Sequence, residues 1–574
     1  MNKEITEKYK LWKDSATDDP ALIEELNKIS GNNDEIFDRF YTELKFGTAG
    51  LRGIIGAGSN RMNVYTVGRV TQGLADCINS KKSGGSVAIS YDSRINSVLF
   101  AERAAAVLAA NGIHVYITPV LEPTPVLSFA VRYYGCDAGI MITASHNPSS
   151  YNGYKCYGSD GCQMTDVYAD ETTSFVEKTD YFSVKVCDFK KGIESGIIEY
   201  TDEKMLESYY EKVMECSVDA EICSKSGLSV IYSPLNGTGN IPVREILRRM
   251  GVAVTVVPEQ EMPDGNFPTT PFPNPEFPKA FEIGIKMAQR LNPDLIIATD
   301  PDADRAGAAV RVRDKNGEYR LMTGNELGCM MLYYVLSSKK ESGRLPQNAM
   351  AVKSIVTSVL SAKIAEKFGC RMVSVLTGFK YIGEQIKLLE EKGRENEFQL
   401  GFEESYGYLG GSYVRDKDAV FAAMMICEMA AFCKKHGKTL LDFMQDIYSE
   451  FGVFRHKTTS ASFDGEQGMN TMAAIMKKLR AESPAVVAGM KVTRTADYLE
   501  GIYRDTESGK TEKINLPPAD VFTMYLENDC SLVIRPSGTE PKIKAYLNAC
   551  ADSFEAADEI IGLLEKEANG IFGK

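Results

Sequence analysis

One unit recurs three times along this chain, and it restricts the fold more than any other feature. Val87-Ala88-Ile89-Ser90-Tyr91-Asp92 predicts a strand, an alanine-rich helix follows to Gly112, and Ile113-His114-Val115-Tyr116-Ile117 predicts a second strand. The pattern returns at Leu228-Ser229-Val230-Ile231-Tyr232, with a helix to Gly251 and a strand at Val252-Ala253-Val254-Thr255-Val256-Val257. It returns again at Ala349-Met350-Ala351-Val352, with a helix to Gly369 and a strand at Arg371-Met372-Val373-Ser374-Val375. Short, partly β-branched apolar runs suit buried strands, and a glycine just past each helix suits a left-handed C-cap. Strand, helix and strand in that order make the crossover of a mostly parallel sheet. Three similar α/β domains with mixed, mostly parallel sheets are therefore expected.

Each unit leads to a further apolar strand that ends in a polar loop. Ala138-Gly139-Ile140-Met141-Ile142 opens into Thr143-Ala144-Ser145-His146-Asn147-Pro148, Leu295-Ile296-Ile297-Ala298 into Asp300, and Phe398-Gln399-Leu400-Gly401-Phe402 into Glu403. Ligands of such sheets lie beyond the carboxyl ends of the strands, so the three loops are expected around one central cleft. From about residue 452 the texture changes to that of a C-terminal α+β domain. The expected division is 1–210 (an N-terminal helical segment and the serine-loop domain), 211–327, 328–451 and 452–574.

A chain of 574 residues exceeds a single core, in keeping with several domains. Its formal net charge of −13 excludes a general binder of nucleic acid or of anionic membranes. Thirteen scattered cysteines without a C-x-x-C pair suit reduced thiols rather than a disulfide framework or a zinc site. The N-terminus lacks an apolar signal core and no apolar run reaches membrane-spanning length. A soluble cytoplasmic protein is expected.

The loops carry recognisable chemistry. Ser145, at a strand end beside His146, is placed as a nucleophile is placed. Asp300, Asp302 and Asp304 crowd three carboxylates into one loop; they repel unless a cation sits among them, and hard oxygen ligands favour Mg²⁺ or Ca²⁺. An EF-hand is disfavoured, because Arg305 stands where that loop needs glycine and Arg311 where it needs a bidentate glutamate. Mg²⁺ held by a few carboxylates asks for a phosphate oxygen as well, and Arg305 offers a second contact to the same phosphate. Arg535-Pro536-Ser537-Gly538-Thr539 supplies a guanidinium, two hydroxyls and exposed backbone N–H groups, a donor set for a phosphate dianion. Gly47, Gly50 and Gly53 around Arg52 allow a ligand close to the backbone and an anion on the arginine. Glu403, Glu404 and Ser405 offer the carboxylates and hydroxyl that a polyol needs, while Thr377-Gly378-Phe379-Lys380 and Tyr154-Lys155 each bring a lysine to a loop. One metal-assisted phosphate and one anchored phosphate fit an enzyme that moves a phosphoryl group on a phosphorylated sugar.

In order and in kind the loops Thr143–Pro148, Asp300–Asp304, Gly401–Gly407 and Arg535–Thr539 resemble those of the α-D-phosphohexomutases, over nearly the whole chain. The resemblance implies that Ser145 is phosphorylated in the active enzyme and completes a Mg²⁺ site with Asp300, Asp302 and Asp304. It implies further that phosphoserine gives its phosphoryl group to the sugar phosphate, forming a bisphosphorylated sugar that later returns the other phosphate. Arg305 would stabilise the transferring group. Arg535, Ser537, Gly538 and Thr539 would hold the phosphate that is not reacting, and Glu403 and Ser405 the sugar hydroxyls. Arg52, Thr377, Gly378 and Lys417 join the substrate-binding set, and His146, Lys155 and Lys380 are the candidates for proton transfer. Phe402-Glu403-Glu404-Ser405-Tyr406-Gly407, together with Arg415-Asp416-Lys417-Asp418, is similar to the branch that holds phosphoglucomutases, phosphopentomutases and some phosphomannomutases. The expected reaction is α-D-glucose 1-phosphate to glucose 6-phosphate, with glucose 1,6-bisphosphate as activator and intermediate, by a monomer or homodimer. Mannose and pentose phosphates are the alternative substrates. A haloacid-dehalogenase-type phosphatase would leave Ser145 and 535–539 idle; a non-catalytic sugar-phosphate sensor is the alternative from a different class, and the intact serine and three aspartates count against it.

Overall fold

The computed structural model describes residues 3–47, 50–313, 315, 317–463, 465–537 and 542–573. They form two compact units, Met1–Gly324 with Ile382–Thr439, and Asn325–Tyr381 with Leu440–Lys574.

In the first unit the strands are β1 (Leu51–Ile54), β2 (Ser86–Tyr91), β3 (His114–Ile117), β4 (Ala138–Ile142), β5 (Tyr151–Gly158), β6 (Ile198–Tyr200), β7 (Ser229–Ser233), β8 (Ala253–Val256), β9 (Leu295–Thr299), β10 (Ala306–Arg311) and β11 (Tyr319–Leu321). The first six make one sheet in the order β1-β5-β4-β2-β3-β6, and the other five a second in the order β11-β10-β9-β7-β8. Pairing is parallel for β4–β2, β2–β3, β3–β6, β9–β7 and β7–β8, the links that span the crossovers. It turns antiparallel where a short connection folds straight back: β5 on β4, and β10 on β9. Those two reversals matter for function, because the serine loop joins β4 to β5 and the aspartate loop joins β9 to β10.

β4 and β9 are buried along their whole length, as continuous apolar runs in helix-covered sheets must be. The expected glycine caps are present: Gly112 and Gly251 adopt φ +75° and +72°. The N-terminal helices Lys3–Ser15, Pro20–Lys28 and Asn33–Phe40 pack onto the first sheet's core, with Trp12 set edge-on against Phe40, Tyr65, Tyr181 and Phe182. The unit also contains the strand Phe398–Glu403, paired antiparallel with Gly407–Leu409, and the buried helix Ala419–Lys435, whose first N–H groups are capped by Asp418.

In the second unit Met350–Ser354 and Arg371–Val375 pair in parallel around the helix Leu360–Phe368, which ends at Gly369 with φ +74°. Thus the third repeat lies in this unit, and the strand that follows it lies in the first. The C-terminal region is an antiparallel sheet in the order Val453–Ser462, Lys542–Ala551, Ser531–Pro536, Phe522–Leu526, Met490–Asp497, Ile502–Asp505, Thr511–Lys513. The helices Gly465–Ala481 and Phe554–Phe572 contribute to its core through Met472, Met476, Ile561 and Leu564. This is the expected α+β texture. Among the described residues no helix is long and apolar enough to cross a membrane.

Candidate active site

The β4–β5 and β9–β10 reversals bring the serine and aspartate loops into contact. Ser145 Oγ lies 3.0 Å from Asp300 Oδ2 and 3.0 Å from His146 Nδ1, so its one proton can be given to either group. Ser145 has φ +53°, a conformation rare for a residue with a side chain, and its own N–H donates to Thr143 Oγ1 at 2.8 Å.

The aspartate loop is fixed through its backbone. Asp300 Oδ1 accepts the N–H groups of Asp304 (3.0 Å) and Arg305 (2.9 Å), which closes the turn. Three successive carbonyls then accept N–H groups from three distant segments: Pro301 from Thr238 (2.8 Å), Asp302 from Thr124 (2.9 Å) and Ala303 from Ala419 (3.1 Å). With the carbonyls so engaged, the three carboxylates converge until one oxygen of each lies within 4.8 Å of the others.

Two cations share these carboxylates. Lys155, on β5, donates to Asp302 Oδ2 at 2.7 Å and to Asp304 Oδ2 at 3.3 Å. Lys417 Nζ is 3.2 Å from Asp304 Oδ2 and 3.1 Å from Asp416 Oδ1, and Tyr157 donates to the other Asp416 oxygen at 2.7 Å. Gly407 makes room for the Lys417 stem: a Cβ there would fall 2.1 Å from Lys417 Cδ. Burial pushes Asp304 upward, but Lys417, Lys155 and Arg305 together hold it well below the usual carboxylate range. Burial, followed by repulsion from Asp302 and Asp304, drives Asp300 far above it. Burial, with Arg305 and Arg52, keeps His146 neutral. The buried Lys155 stays charged because Asp302 and Asp304 outweigh its desolvation.

The residues present fit a small hard cation. Asp302 Oδ1 and Asp304 Oδ1 are buried acceptors without a hydrogen-bond partner, beside a third carboxylate that burial and two like charges push toward protonation. Oxygen-only ligands of this kind suit Mg²⁺ or Ca²⁺.

The other sequence-predicted residues fall as follows. Arg305 gives Nη1 to Glu276 Oε1 at 2.6 Å, and its Nε is buried without a hydrogen-bond partner. Arg52 extends from β1 and donates to Asn147 Oδ1 at 2.9 Å, on the serine loop. Glu403 ends its strand buried and Ser405 is half-buried in the turn that follows. Arg305 and Lys417 both feel the Glu403 charge, so the loop at 403–405 is within electrostatic reach of the aspartates. Thr377, Gly378 and Lys380 lie in the second unit, with Gly378 at φ +123°, the Thr377 hydroxyl buried without a hydrogen-bond partner, and Lys380 Nζ 4.8 Å above the Tyr381 ring. Arg535 stands at a strand end in the same unit, and the Ser537 N–H donates to the Lys542 carbonyl at 2.7 Å. Gly538 and Thr539 lie outside the described residues.

Sequence reasoning missed Asp92, Arg94, Thr124, Tyr157, Glu276 and Asp416. The usable signal was placement: Asp92 directly follows the buried β2, as Asp300 closely follows β9, and both carboxylates turn back on the loops beside them.

Comparison with known proteins adds the following. Residues 43–182, 207–313 and 323–451 match, in turn, α/β/α domains I, II and III of phosphoglucomutase/phosphomannomutase. A phosphoglucomutase of Staphylococcus haemolyticus is 38% identical over 525 residues, covering 91% of this chain and 93% of that one. A Staphylococcus aureus phosphoglucomutase (strain NCTC 8325) is 34% identical over 549 residues, covering 95% and 96%. Among solved structures, the open form of parafusin, a Paramecium phosphoglucomutase, superposes with a TM-score of 0.68 at 17% identity, covering 93% of this chain and 97% of that one. A phosphoglucomutase/phosphomannomutase family protein of Burkholderia thailandensis gives 0.63 at 17% identity, covering 92% and 97%. At those identities the likeness is one of fold.

Proposed function

Because the chain belongs to the phosphoglucomutase/phosphomannomutase family, we propose that it interconverts α-D-glucose 1-phosphate and glucose 6-phosphate through phosphorylated Ser145. The observation that carries this reading is the Ser145 Oγ–Asp300 Oδ2 distance of 3.0 Å, beside two buried aspartate oxygens that lack hydrogen-bond partners. A hydroxyl at that point can bear a phosphoryl group against a cation held by Asp300, Asp302 and Asp304. Magnesium is the ion we assign to them, and when bound it supplies Lewis-acid stabilisation of charge on the transferring phosphoryl oxygens.

The chain's own residues do the rest. In the first half-reaction the Ser145 Oγ–P bond breaks and a bond to the sugar's free hydroxyl oxygen forms, giving glucose 1,6-bisphosphate. In the second, the bisphosphate has turned over, Ser145 Oγ attacks its other phosphorus, and the sugar oxygen leaves. In the first step the sugar hydroxyl gives up the proton that Ser145 Oγ gains, and in the second Ser145 Oγ gives up a proton and the departing sugar oxygen gains one. We assign His146, whose Nδ1 lies 3.0 Å from Ser145 Oγ, to carry that proton, and Lys155, between Asp302 and Asp304, to serve as a counter-charge. Lys417 and the free side of Arg305 add positive charge around the phosphoryl group, and Glu403 and Ser405 take sugar hydroxyls. Arg52 is assigned to an incoming anion. In the second unit Arg535 and Ser537 are assigned to a substrate phosphate dianion, as are Gly538 and Thr539 outside the described residues, and Thr377, Gly378 and Lys380 are assigned to sugar-phosphate binding. A four-domain division near 210, 327 and 451 belongs to this proposal, and the three matched segments support it. So does a cytoplasmic setting, where thirteen free cysteines stay reduced.

The test is a coupled assay with Mg²⁺ and a trace of glucose 1,6-bisphosphate, comparing glucose, mannose and ribose 1-phosphates by kcat/KM, with mass analysis of Ser145. A clear lead for glucose 1-phosphate and phosphate on Ser145 are expected. No turnover of any of the three, with Ser145 unmodified, would overturn the reading.

A further inference from the structure

One guanidinium holds the backbone of the serine loop, and the catalytic scheme above gives it no part. Arg94, 3% exposed, donates from Nη2 to the carbonyls of Ser145 (2.6 Å) and Asn147 and from Nη1 to those of Pro148 (2.8 Å) and Tyr151 (2.9 Å). Asp92 pairs with it, with Oδ2 at 3.4 Å from Nε, and the same oxygen accepts the Thr143 hydroxyl at 2.6 Å. Thr143 Oγ1 in turn takes the Ser145 N–H. Ser145 is therefore gripped at its N–H and at its carbonyl by one connected set of groups. That grip accounts for a serine resting at φ +53°.

The face of this guanidinium is covered from elsewhere. The Phe267 ring centroid lies 5.0 Å from Arg94 Cζ, and Phe267 is 1% exposed. It stands on a turn at 264–267, closed by the Phe267 N–H on the Asp264 carbonyl (3.1 Å) and by the Asn266 N–H on the Asp264 carboxylate (2.9 Å). The turn abuts residues 93–95 so closely that a Cβ on Gly265 would lie 2.5 Å from the Ile95 nitrogen. Behind it, the Asp264 N–H binds the Asn236 carbonyl (3.2 Å), and two residues on, the Thr238 N–H binds Pro301 in the aspartate loop (2.8 Å).

We propose that Arg94 is the positioning residue for Ser145, and that Phe267 fixes the plane of Arg94, so that the segment bearing the aspartate loop also sets the aim of the serine. The inference rests on the phosphoserine reading above. A guanidinium reaching four carbonyls is a directional clamp, which a lysine cannot reproduce although it keeps the charge. An aromatic face over it restrains rotation out of that plane, which an aliphatic side chain of similar bulk does not.

Phe267→Leu and Arg94→Lys, made in the full-length protein, test this. Three quantities are read: kcat, KM for glucose 1-phosphate, and the partition of labelled phosphoserine between sugar and water. Misaim by a fraction of an ångström lowers kcat in each variant by between about 10- and 100-fold. KM stays within about twofold, because substrate contacts are untouched. The partition moves toward water by about the same factor as kcat, since water needs no aim. A purely structural role would lower the active fraction and leave the partition at its wild-type value. That result, or a raised KM with kcat intact, overturns the inference; should Arg94→Lys fail to fold, Phe267→Leu decides alone. Wild-type protein without phosphate on Ser145 overturns the mutase reading and this inference together, whereas wild-type turnover with an unmoved partition in the variants overturns this inference only.

Discussion

Glu122→Gln should remove a pH-dependent weakness from the first unit. Glu122 is 8% exposed, immediately precedes the helix Thr124–Tyr133 and its Pro123 cap, and has an Oε2 that is buried without a hydrogen-bond partner. The groups that feel its charge include Tyr91, Tyr209 and Tyr210, none of which offers a compensating cation. Burial pushes its carboxyl from the ordinary 4.5 up to about 8. A carboxyl with a raised folded-state pKa favours the native state while it is neutral. That contribution is whole below about 4.5 and is lost as pH rises through about 8. Between pH 5 and pH 8 the loss amounts to roughly 3 to 4 kcal/mol, more than two orders of magnitude in the local folding equilibrium. Glutamine copies the shape of the neutral acid and cannot ionise. Urea-unfolding midpoints, followed by the fluorescence of the single Trp12 in the same unit, should converge for the two proteins near pH 5 and separate toward pH 8, with the glutamine variant the more stable. Parallel pH curves would refute the assignment, and a variant less stable at every pH would show that Glu122 has a hydrogen-bond partner.

Ser145→Ala should lose at least about three orders of magnitude in turnover while keeping its affinity for sugar phosphate by calorimetry, since the nucleophile goes and the binding residues stay. Asp302→Asn should abolish the thermal stabilisation that Mg²⁺ gives the wild type, and an equal shift in the variant would place the ion elsewhere. Arg535→Ala should raise KM by about 10- to 100-fold with a smaller change in kcat, the mark of a charge-assisted contact shared by ground and transition states. Gly324→Ala should destabilise by about 1 to 3 kcal/mol in a denaturation midpoint, because its Cβ would fall 2.1 Å from the Glu404 carbonyl oxygen.

The strands before Ser145, Asp300 and Glu403 were legible because each is a short, largely apolar run buried on both faces, and their helices because glycine ends them. The aspartate triplet was legible for a local reason as well: three carboxylates within five residues have few other uses. What surrounds them was not. Thr124 on Asp302, Lys417 on Asp304 and Arg94 on the Ser145 carbonyl join residues far apart in the chain, and no periodicity encodes such a meeting. Lys417 could be named only through the family resemblance, and its partner could not be named at all. Arg94 sits in an unremarkable Asp92-Ser93-Arg94 step; its role emerges only when the β4–β5 loop is folded over it.

The aspartate loop is held by N–H groups at 124, 238 and 419, one from each of the three matched segments. Its shape is therefore not the property of the segment that encodes it alone, since two of the three donors lie outside 207–313. Exchanging either of the other two segments, which carry the donors at 124 and 419, for a relative's would leave the loop's own sequence intact and still bend it, unless the newcomer presents an N–H at the corresponding place. Proline is the one residue barred from all three positions whatever its size or polarity. Recombination within this family is thereby limited less by the residues that touch substrate than by three backbone donors that never meet it.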